Sequence, residues 1–520
     1  MKIPARILAL SLLVLMCARL TADTGDPARR PNILYIFADD LSHRNISSYK
    51  EAYPWVATPN IDRLARRGVR FTHAYVGTWC MPSRATQLTG LLPHGIESMR
   101  STEPYPSATY DPVQRPFWPS VFRKNGYQTA QIGKWHTGRD TGYGRDWDYQ
   151  VVWNYSSGRP QRQVADEYFV DQQLEINGAA PRVVPGYATD NYTRWADEYI
   201  RGANRDKSKP WFLWLCYTAP HAPYTPAERH RDLYPGVTVP DPADIYPPRP
   251  GKPDYARTKE QWIKGPKGQP VPNRLKPLPA NVPLLHDDTL SSWSRQVAQT
   301  VQSLDEAVGR LLQVLEETNQ LENTLVVFTG DQGYAWGQHG FDMKVAPYDA
   351  NLRTPLIVSL PGTLPEGAVS TVPVGGVDLI PTFFQFAGIA LPWAMHGHDL
   401  GPLLRNPQAA WDHPVLMTYT AEYFGSDANE YRPSKEPIRS NVGVPWWASV
   451  IKDDFKYIRT LAEGINEELY DLKNDPDELK NLAGEGGHAA TVGRLRSLLV
   501  QELGRTNAGI VHHLPAPQAP

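Results

Sequence analysis

The sequence predicts an α/β protein: a large domain on a central mixed, mostly parallel sheet flanked by helices, and a smaller C-terminal subdomain of antiparallel strands. Three observations lead there. Apolar runs of strand length at 31–38, 211–217 and 324–329, with a shorter one at 128–132, alternate with amphipathic helical stretches; this is how strands buried on both faces between helices read. Beyond Leu400 the strand patterns are short, at 447–451, 455–458 and 468–472. The length of 520 residues also exceeds what one compact core holds, so a second domain is expected. The 49 prolines and 39 glycines lie among tryptophans and tyrosines, which implies ordered loops and not disorder.

Residues 1–22 read as a secretory signal: Lys2 and Arg6 lead, 7–18 is apolar, and Leu20-Thr21-Ala22 offers small-residue cleavage. The apolar run is too short to span a bilayer, so the expectation is a secreted or periplasmic protein with no stable membrane insertion after cleavage. Removing the segment leaves 50 basic residues against 55 acidic ones, a net charge of −5, and nothing in that balance suggests nucleic-acid binding. Of three cysteines, Cys80 and Cys216 remain. Two cysteines make no disulfide framework, and Cys216 sits in an apolar run where burial is the ordinary outcome.

The first strand, 31–38, ends in Asp39-Asp40. Ligands gather beyond the carboxyl ends of strands in open α/β sheets, which makes the acidic pair a metal or catalytic candidate; a helix cap or solvated turn is the other reading. Thr58-Pro59-Asn60-Ile61-Asp62 starts a helix. The stretch that organises the rest comes next. Trp79-Cys80-Met81-Pro82-Ser83-Arg84 runs on to Leu88-Thr89-Gly90. Pro82 suits a first helical turn, so Cys80 falls at or just before a helix N-terminus, where the backbone favours negative charge.

Cys80-x-Pro82-Ser83-Arg84 followed by Leu88-Thr89-Gly90 resembles the signature of the type I, formylglycine-dependent sulfatases of the alkaline phosphatase superfamily. Further matches follow in family order. Gly133-Lys134-Trp135-His136 closes the run at 128–132, although Thr137 stands where leucine is usual. His221-Ala222-Pro223 follows the strand at 211–217, after an amphipathic helix at 186–200. Val297, Val301, Leu304, Val308, Leu311 and Leu315 mark a long helix. The strand at 324–329 then ends in Asp331-Gln332, where the family shows Asp-Asn or Asp-His. His339-Gly340 precedes Lys344, and Asp349 and Arg353 are expected to hold their loop through an ion pair. Residues 377–388 resemble the helix that closes the main domain, so the catalytic domain is placed at 23–400 and the small α+β subdomain at 401–520, ending in a helix beyond Leu482 and a mobile tail from His512. Sixteen prolines between Pro220 and Pro283 mark an insertion, about 221–290, read equally as a cover over the active-site mouth or as scaffolding.

The resemblance implies an alkaline-phosphatase-like fold and hydrolysis of sulfate monoesters, on a sulfated carbohydrate. It implies a formylglycine made from Cys80 by a maturation enzyme, and one Ca2+ held by Asp39, Asp40, Cys80, Asp331 and Gln332. The hard oxygens of that set suit calcium better than zinc. Lys134 and Lys344 are to neutralise sulfate oxygens, Arg84 to steady the hydrated aldehyde, His136 to take its second proton, and His221 to protonate the leaving oxygen. Two other readings stand beside this one: a phosphomonoester or phosphonate hydrolase of the same superfamily, and a non-catalytic binder of sulfated glycans. Trp118, Arg139, Trp336 and His396 flank the motifs and read equally as substrate-pocket candidates or as ordinary core and surface residues.

Overall fold

The computed structural model describes residues 30–97, 99–102, 107–110, 117–157, 159, 167–273, 287–421, 423–430, 443–462 and 464–517. Residues 1–22, expected to be a secretory signal, and residues 274–286 of the proline-rich insertion lie outside them. Ten strands order the main sheet: β1 (Asn32–Asp39), β2 (Val69–Tyr75), β3 (Gln128–Trp135), β4 (Tyr149–Asn154), β5 (Val170–Ile176), β6 (Arg182–Tyr187), β7 (Trp211–Pro220), β8 (Thr324–Gly330), β9 (Arg353–Ser359) and β10 (Ala368–Ser370). Their order is β10-β2-β9-β8-β1-β7-β3-β4-β5-β6, and a two-residue strand at 374–375 also pairs with β2. The centre, β8-β1-β7-β3-β4, is parallel throughout. Antiparallel pairs flank it on both sides.

Alternation along β1 explains why its sequence is apolar at every position. Leu34, Ile36 and Ala38 pack with residues of α1 (Pro59–Arg66), α3 (Ala188–Ile200) and α4 (Leu290–Glu317). Ile33, Tyr35 and Phe37 face the other way, toward α2 (Cys80–Thr89) and α5 (Leu379–Ala387). Both faces of the sheet are therefore dry at its parallel centre, as buried parallel strands require, while the outer β5 and β6 are partly exposed. Among the described residues, no helix is long and apolar enough to cross a membrane.

The second sheet is antiparallel, β11 (Val415–Tyr419), β12 (Trp447–Lys452), β13 (Phe455–Thr460) and β14 (Glu467–Asp471). It shares a core with the final helix, α6 (Ala489–Arg505), and with Val345, Tyr348 and Leu352 of the segment leading into β9. The chain stays tied down beyond α6. His513 Nε2 lies 2.5 Å from Asn429 O, and Arg459 donates to Pro515 O. The tail expected to be mobile from His512 is thus anchored as far as Pro515.

Candidate active site

Because β8, β1, β7 and β3 are adjacent and parallel, their carboxyl ends converge, bringing Asp331 and Gln332, Asp39 and Asp40, His221, and Lys134 and His136 to one edge. Each strand end has a local reason for its aim. The β1–β7 register shifts between Phe37 and Asp39, and Asp40 takes a left-handed φ of 62°, a conformation that aspartate tolerates better than most residues. In β3, Gly133 has φ 106°, and a Cβ there would run into the Cys216 carbonyl; only glycine lets Lys134 approach β7 in this way.

Helix α2 supplies the other half. Cys80 is its first residue, Trp79 before it makes no side-chain cap, and Gly90 closes it with φ 70°. Pro82 has no N–H and Ser83 N donates to Trp79 O, so the first turn can offer an anion at position 80 only the N–H groups of Cys80 and Met81. All ten residues of the helix are buried. One turn on from Cys80, the Arg84 guanidinium stands 3.2 Å from Asp331 Oδ2 and 3.5 Å from Asp39 Oδ1, donates to Lys134 O, and lies over Phe37. Its bonds go to the carboxylates and to the Lys134 carbonyl, so it braces Asp39 and Asp331 beside Cys80.

Around Cys80, Sγ is 2.9 Å from Lys344 Nζ, 3.8 Å from Gln332 Nε2 and 3.9 Å from Asp40 Oδ1. Lys344 Nζ also donates to both Asp40 oxygens, at 2.6 and 2.9 Å. Lys134 Nζ donates to Asp39 Oδ2 at 2.5 Å and to Tyr168 OH at 2.7 Å; Tyr168 itself donates to Asp39 Oδ2 at 2.7 Å. His221 stacks on Tyr168 with ring centroids 4.5 Å apart. Its Nδ1 lies 2.7 Å from Ala222 O, which assigns that nitrogen as the donor and leaves Nε2 facing Asp40 Oδ2 at 3.5 Å. His136 is buried against Tyr155, and neither ring nitrogen has a hydrogen-bond partner among the described residues.

The charges are unevenly held. Burial would raise the Asp39 carboxyl, but Lys134, His221 and Arg84 outweigh it and hold Asp39 well below the usual carboxylate range. Asp331 goes the other way: burial, then Asp39 and Cys80, push it well above, against Arg84. Burial followed by Asp39 raises the Cys80 thiol. Burial works against the Lys344 ammonium, yet Asp40 and Cys80 raise it well above its ordinary value. Burial, helped by Lys134 and Arg84, keeps His136 unprotonated. Burial also lowers His221, opposed by Asp40 and Asp39.

A cation fits this edge. Asp39 Oδ1 is buried without a hydrogen bond, and Asp331 is crowded by like charge, which a divalent ion would relieve. Asp39, Asp40, Cys80 and His221 each offer an atom within 4.8 Å of the others. Asp331 is turned partly away, its Oδ1 accepting from Asp40 N and Gln332 N. Gln332 presents Nε2 to Asp40 and keeps Oε1 near Ser83 Oγ, at 3.3 Å; half a turn of its amide exchanges the two atoms without changing its shape.

The profile described as Sulfatase matches residues 31–389. The chain belongs to the sulfatase family. A second profile, N-sulphoglucosamine sulphohydrolase C-terminal, matches residues 337–504 of this sulfatase. It is 31% identical, over 95% of its own length and 89% of the relative's, to the N-acetylglucosamine-6-O-sulfatase of Bacteroides thetaiotaomicron. A protein solved in complex with its substrate D-glucosamine-2-N,6-O-disulfate superposes with a TM-score of 0.74 and 28% identity, covering 92% of this chain and 98% of that one. The phosphonate monoester hydrolase of Agrobacterium radiobacter has TM-score 0.65 and 21% identity, covering 94% of this chain and all of that one; it shares the fold alone.

Several expectations for the sulfatase need correction. Trp118 is core, packed on Phe122, Phe212, Phe383 and Phe384 with Nε1 donating to Gln87 O. His396 sits at the far end of α2, its backbone N–H donating to Gly90 O. Trp336, buried against Tyr224 and Tyr334, two tyrosines on which the Asp40 charge acts, and Arg139, which is exposed, stay as pocket candidates. Asp349 and Arg353 do not pair: Asp349 binds Lys456 at 2.5 Å and Tyr75 OH at 2.8 Å, and Arg353 binds Glu51 at 3.0 Å. Tyr168, at the centre of the site, was missed. It follows no periodic pattern, and only its place before a strand in a tyrosine-rich stretch could have drawn attention to it.

Proposed function

We propose that this sulfatase removes a 6-O-sulfate from a glucosamine-type sugar outside the cytoplasm. In this reading residue 80 is a formylglycine made from Cys80 by a maturation enzyme, and Asp39, Asp40, Asp331 and Gln332 hold one calcium ion. The observation that carries the substrate class is the likeness, along 95% of the chain, to an N-acetylglucosamine-6-O-sulfatase. Accessibility supports it. Cys80 is 3% exposed, so an ester must push its sulfate inward, and a sulfate on a primary carbon projects one methylene further than one on the ring.

When bound, the calcium ion supplies Lewis-acid charge for a sulfate oxygen, and the hydrated aldehyde supplies two hydroxyls on one carbon. The chain's own residues do the rest. Lys344, at the mouth, neutralises incoming sulfate charge. Lys134 does so from behind, its orientation set by Asp39 and Tyr168. Arg84 holds Asp39 and Asp331 in place against their mutual repulsion. His136, kept neutral, is able to accept a proton. His221 donates from Nδ1 to Ala222 O and faces the site with Nε2; it acts as the acid when Nε2 takes a second proton, a charge that Asp40 and Asp39 favour against burial, and an alkoxide from a sugar leaves poorly without an acid.

Sulfate release by matured enzyme from N-acetylglucosamine 6-sulfate, its 3- and 4-sulfate isomers and a matched aryl phosphate tests the reading. The expected kcat/KM favours the 6-sulfate by about 10²-fold or more. Preference for a ring sulfate would overturn the regiochemistry, and preference for the phosphate would overturn the choice of ester.

A further inference from the structure

The proline-rich insertion packs onto the loop that carries Lys344. The loop has bonds of its own, Ala335 N to Met343 O and Gly337 N to Phe341 O, but between its two left-handed glycines His339 also takes a left-handed φ, of 54°, and a non-glycine residue stays there only where its surroundings fix it. The insertion does the fixing. Asp244 Oδ1 accepts from His339 N at 2.9 Å, and Asp244 Oδ2 lies 2.6 Å from His339 Nδ1. Gln261 N donates to Gly340 O, Gln261 Oε1 accepts from Asp342 N, and Trp262 Nε1 donates to Phe341 O.

The clamp is itself stiff. Buried Arg249 donates to the carbonyls of Asp244, Ile245, Ala256 and Lys259 at 2.6–2.9 Å, binding the two arms of the insertion into one body. Gly340 backs against it so closely that a Cβ there would meet Arg249 and come within 2.7 Å of Lys259 O. From the other side, Asn351 Nδ2 donates to Met343 O and Trp447 Nε1 to Val345 O. Lys344 is therefore held by its backbone on both sides, and its long side chain reaches Asp40 and Cys80 from a fixed origin.

We propose that Asp244 is a positioning residue for Lys344: by clamping His339 it sets where the ammonium meets the sulfate, which gives the insertion its task. The proposal rests on Lys344 being the cation that binds sulfate.

A double-mutant cycle on kcat/KM for the sulfate ester tests it, with thermal unfolding of every variant. Asp244→Ala is expected to lower kcat/KM by about 10- to 100-fold, as misplacement of a positioned group does. In a Lys344→Ala background the same change is expected to cost less than about twofold, because its target is gone. Asp244→Asn, which keeps the acceptor for His339 N–H, is expected to recover activity to within about threefold of wild type. It also carries the test should Asp244→Ala fold poorly. Losses that multiply in the double variant would overturn the clamp. So would Asp244→Ala at wild-type activity beside a crippled Lys344→Ala. Unchanged turnover in Lys344→Ala alone would remove the role given to Lys344, and the clamp with it.

Discussion

The edge of the main sheet and the seam beneath the second sheet are built from nearly the same groups. At the edge, Asp39, Asp40 and Asp331 meet Arg84, Lys134 and Lys344. At the seam, Asp349, Glu478 and Glu468 lie with Lys456 and Lys252. Lys456 sits 2.5 Å from Asp349 and 2.8 Å from Glu478 with its side chain wholly buried; Lys252 donates to Tyr470 OH and Glu478 O, and Tyr348 and Tyr470 both donate to Glu468. No group there reaches solvent. Among the described residues unbonded oxygens occur in both, Asp39 Oδ1 at the edge and Glu468 Oε1 and Glu478 Oε1 at the seam, but at the sheet edge, by contrast, the Lys344 and His221 side chains are 18% and 20% exposed. The same charges make a brace when every one is enclosed and a site when some are left open beside a nucleophile.

The largest expected effect separates chemistry from scaffold at the edge. Cys80→Ala is expected to abolish sulfate release, by about 10⁴-fold or more, while leaving thermal unfolding within a degree or two, because Cys80 contributes one small side chain to α2. Wild-type turnover in that variant would show that residue 80 is not the nucleophile. At the seam the balance should invert. Lys456→Met removes the cation that bridges Asp349 and Glu478, and breaking a buried pair from one side costs about 3–5 kcal/mol. A clear drop in apparent Tm is expected, with kcat of the folded enzyme unchanged at low temperature. If kcat falls while the Tm holds, the seam belongs to the site and the contrast fails.

How far each region could be read from the sequence follows from its geometry. Parallel strands end in the same place, so Asp39, His221 and Asp331 declared themselves by standing at the ends of apolar runs, and Cys80 by its helix-start motif. The antiparallel flanks, β9-β2 on one side and β5-β6 on the other, have no such marker. Arg353 shows why pairings were harder: Asp349 stands one helical turn away, yet Glu51 and Lys456 arrive from distant segments and take the two apart. Tyr168 and Asp244 lie in irregular chain whose place depends on packing and not on period. Trp118 was misread because proximity in sequence to a motif says nothing of which face of the sheet a side chain enters.

The smallest effect concerns a third kind of buried ionisable group, one with no charged partner of opposite sign. His94 is buried, its Nε2 has no hydrogen bond, and it stacks on His396 at 5.4 Å; burial, then His396, lower its pKa to about 3. An unfolded histidine titrates near 6.5, so below that pH the unfolded chain takes up a proton that the folded chain refuses. Its contribution is complete above about pH 6.5 and is lost progressively as the pH falls toward 3. Between pH 7 and 5 the loss from this one residue is about 2 kcal/mol, at roughly 1.4 kcal/mol per pH unit below 6.5. His94→Gln cannot titrate. Its stability in urea is therefore expected to fall less between pH 7 and 5 than that of the wild type, by about that amount, the remaining slope being set by the other buried groups, among them His73 and His339, which burial lowers to about 4, and Asp305 and Asp378, which it raises to about 6. Identical slopes in the two proteins would mean that His94 is protonated in the folded state.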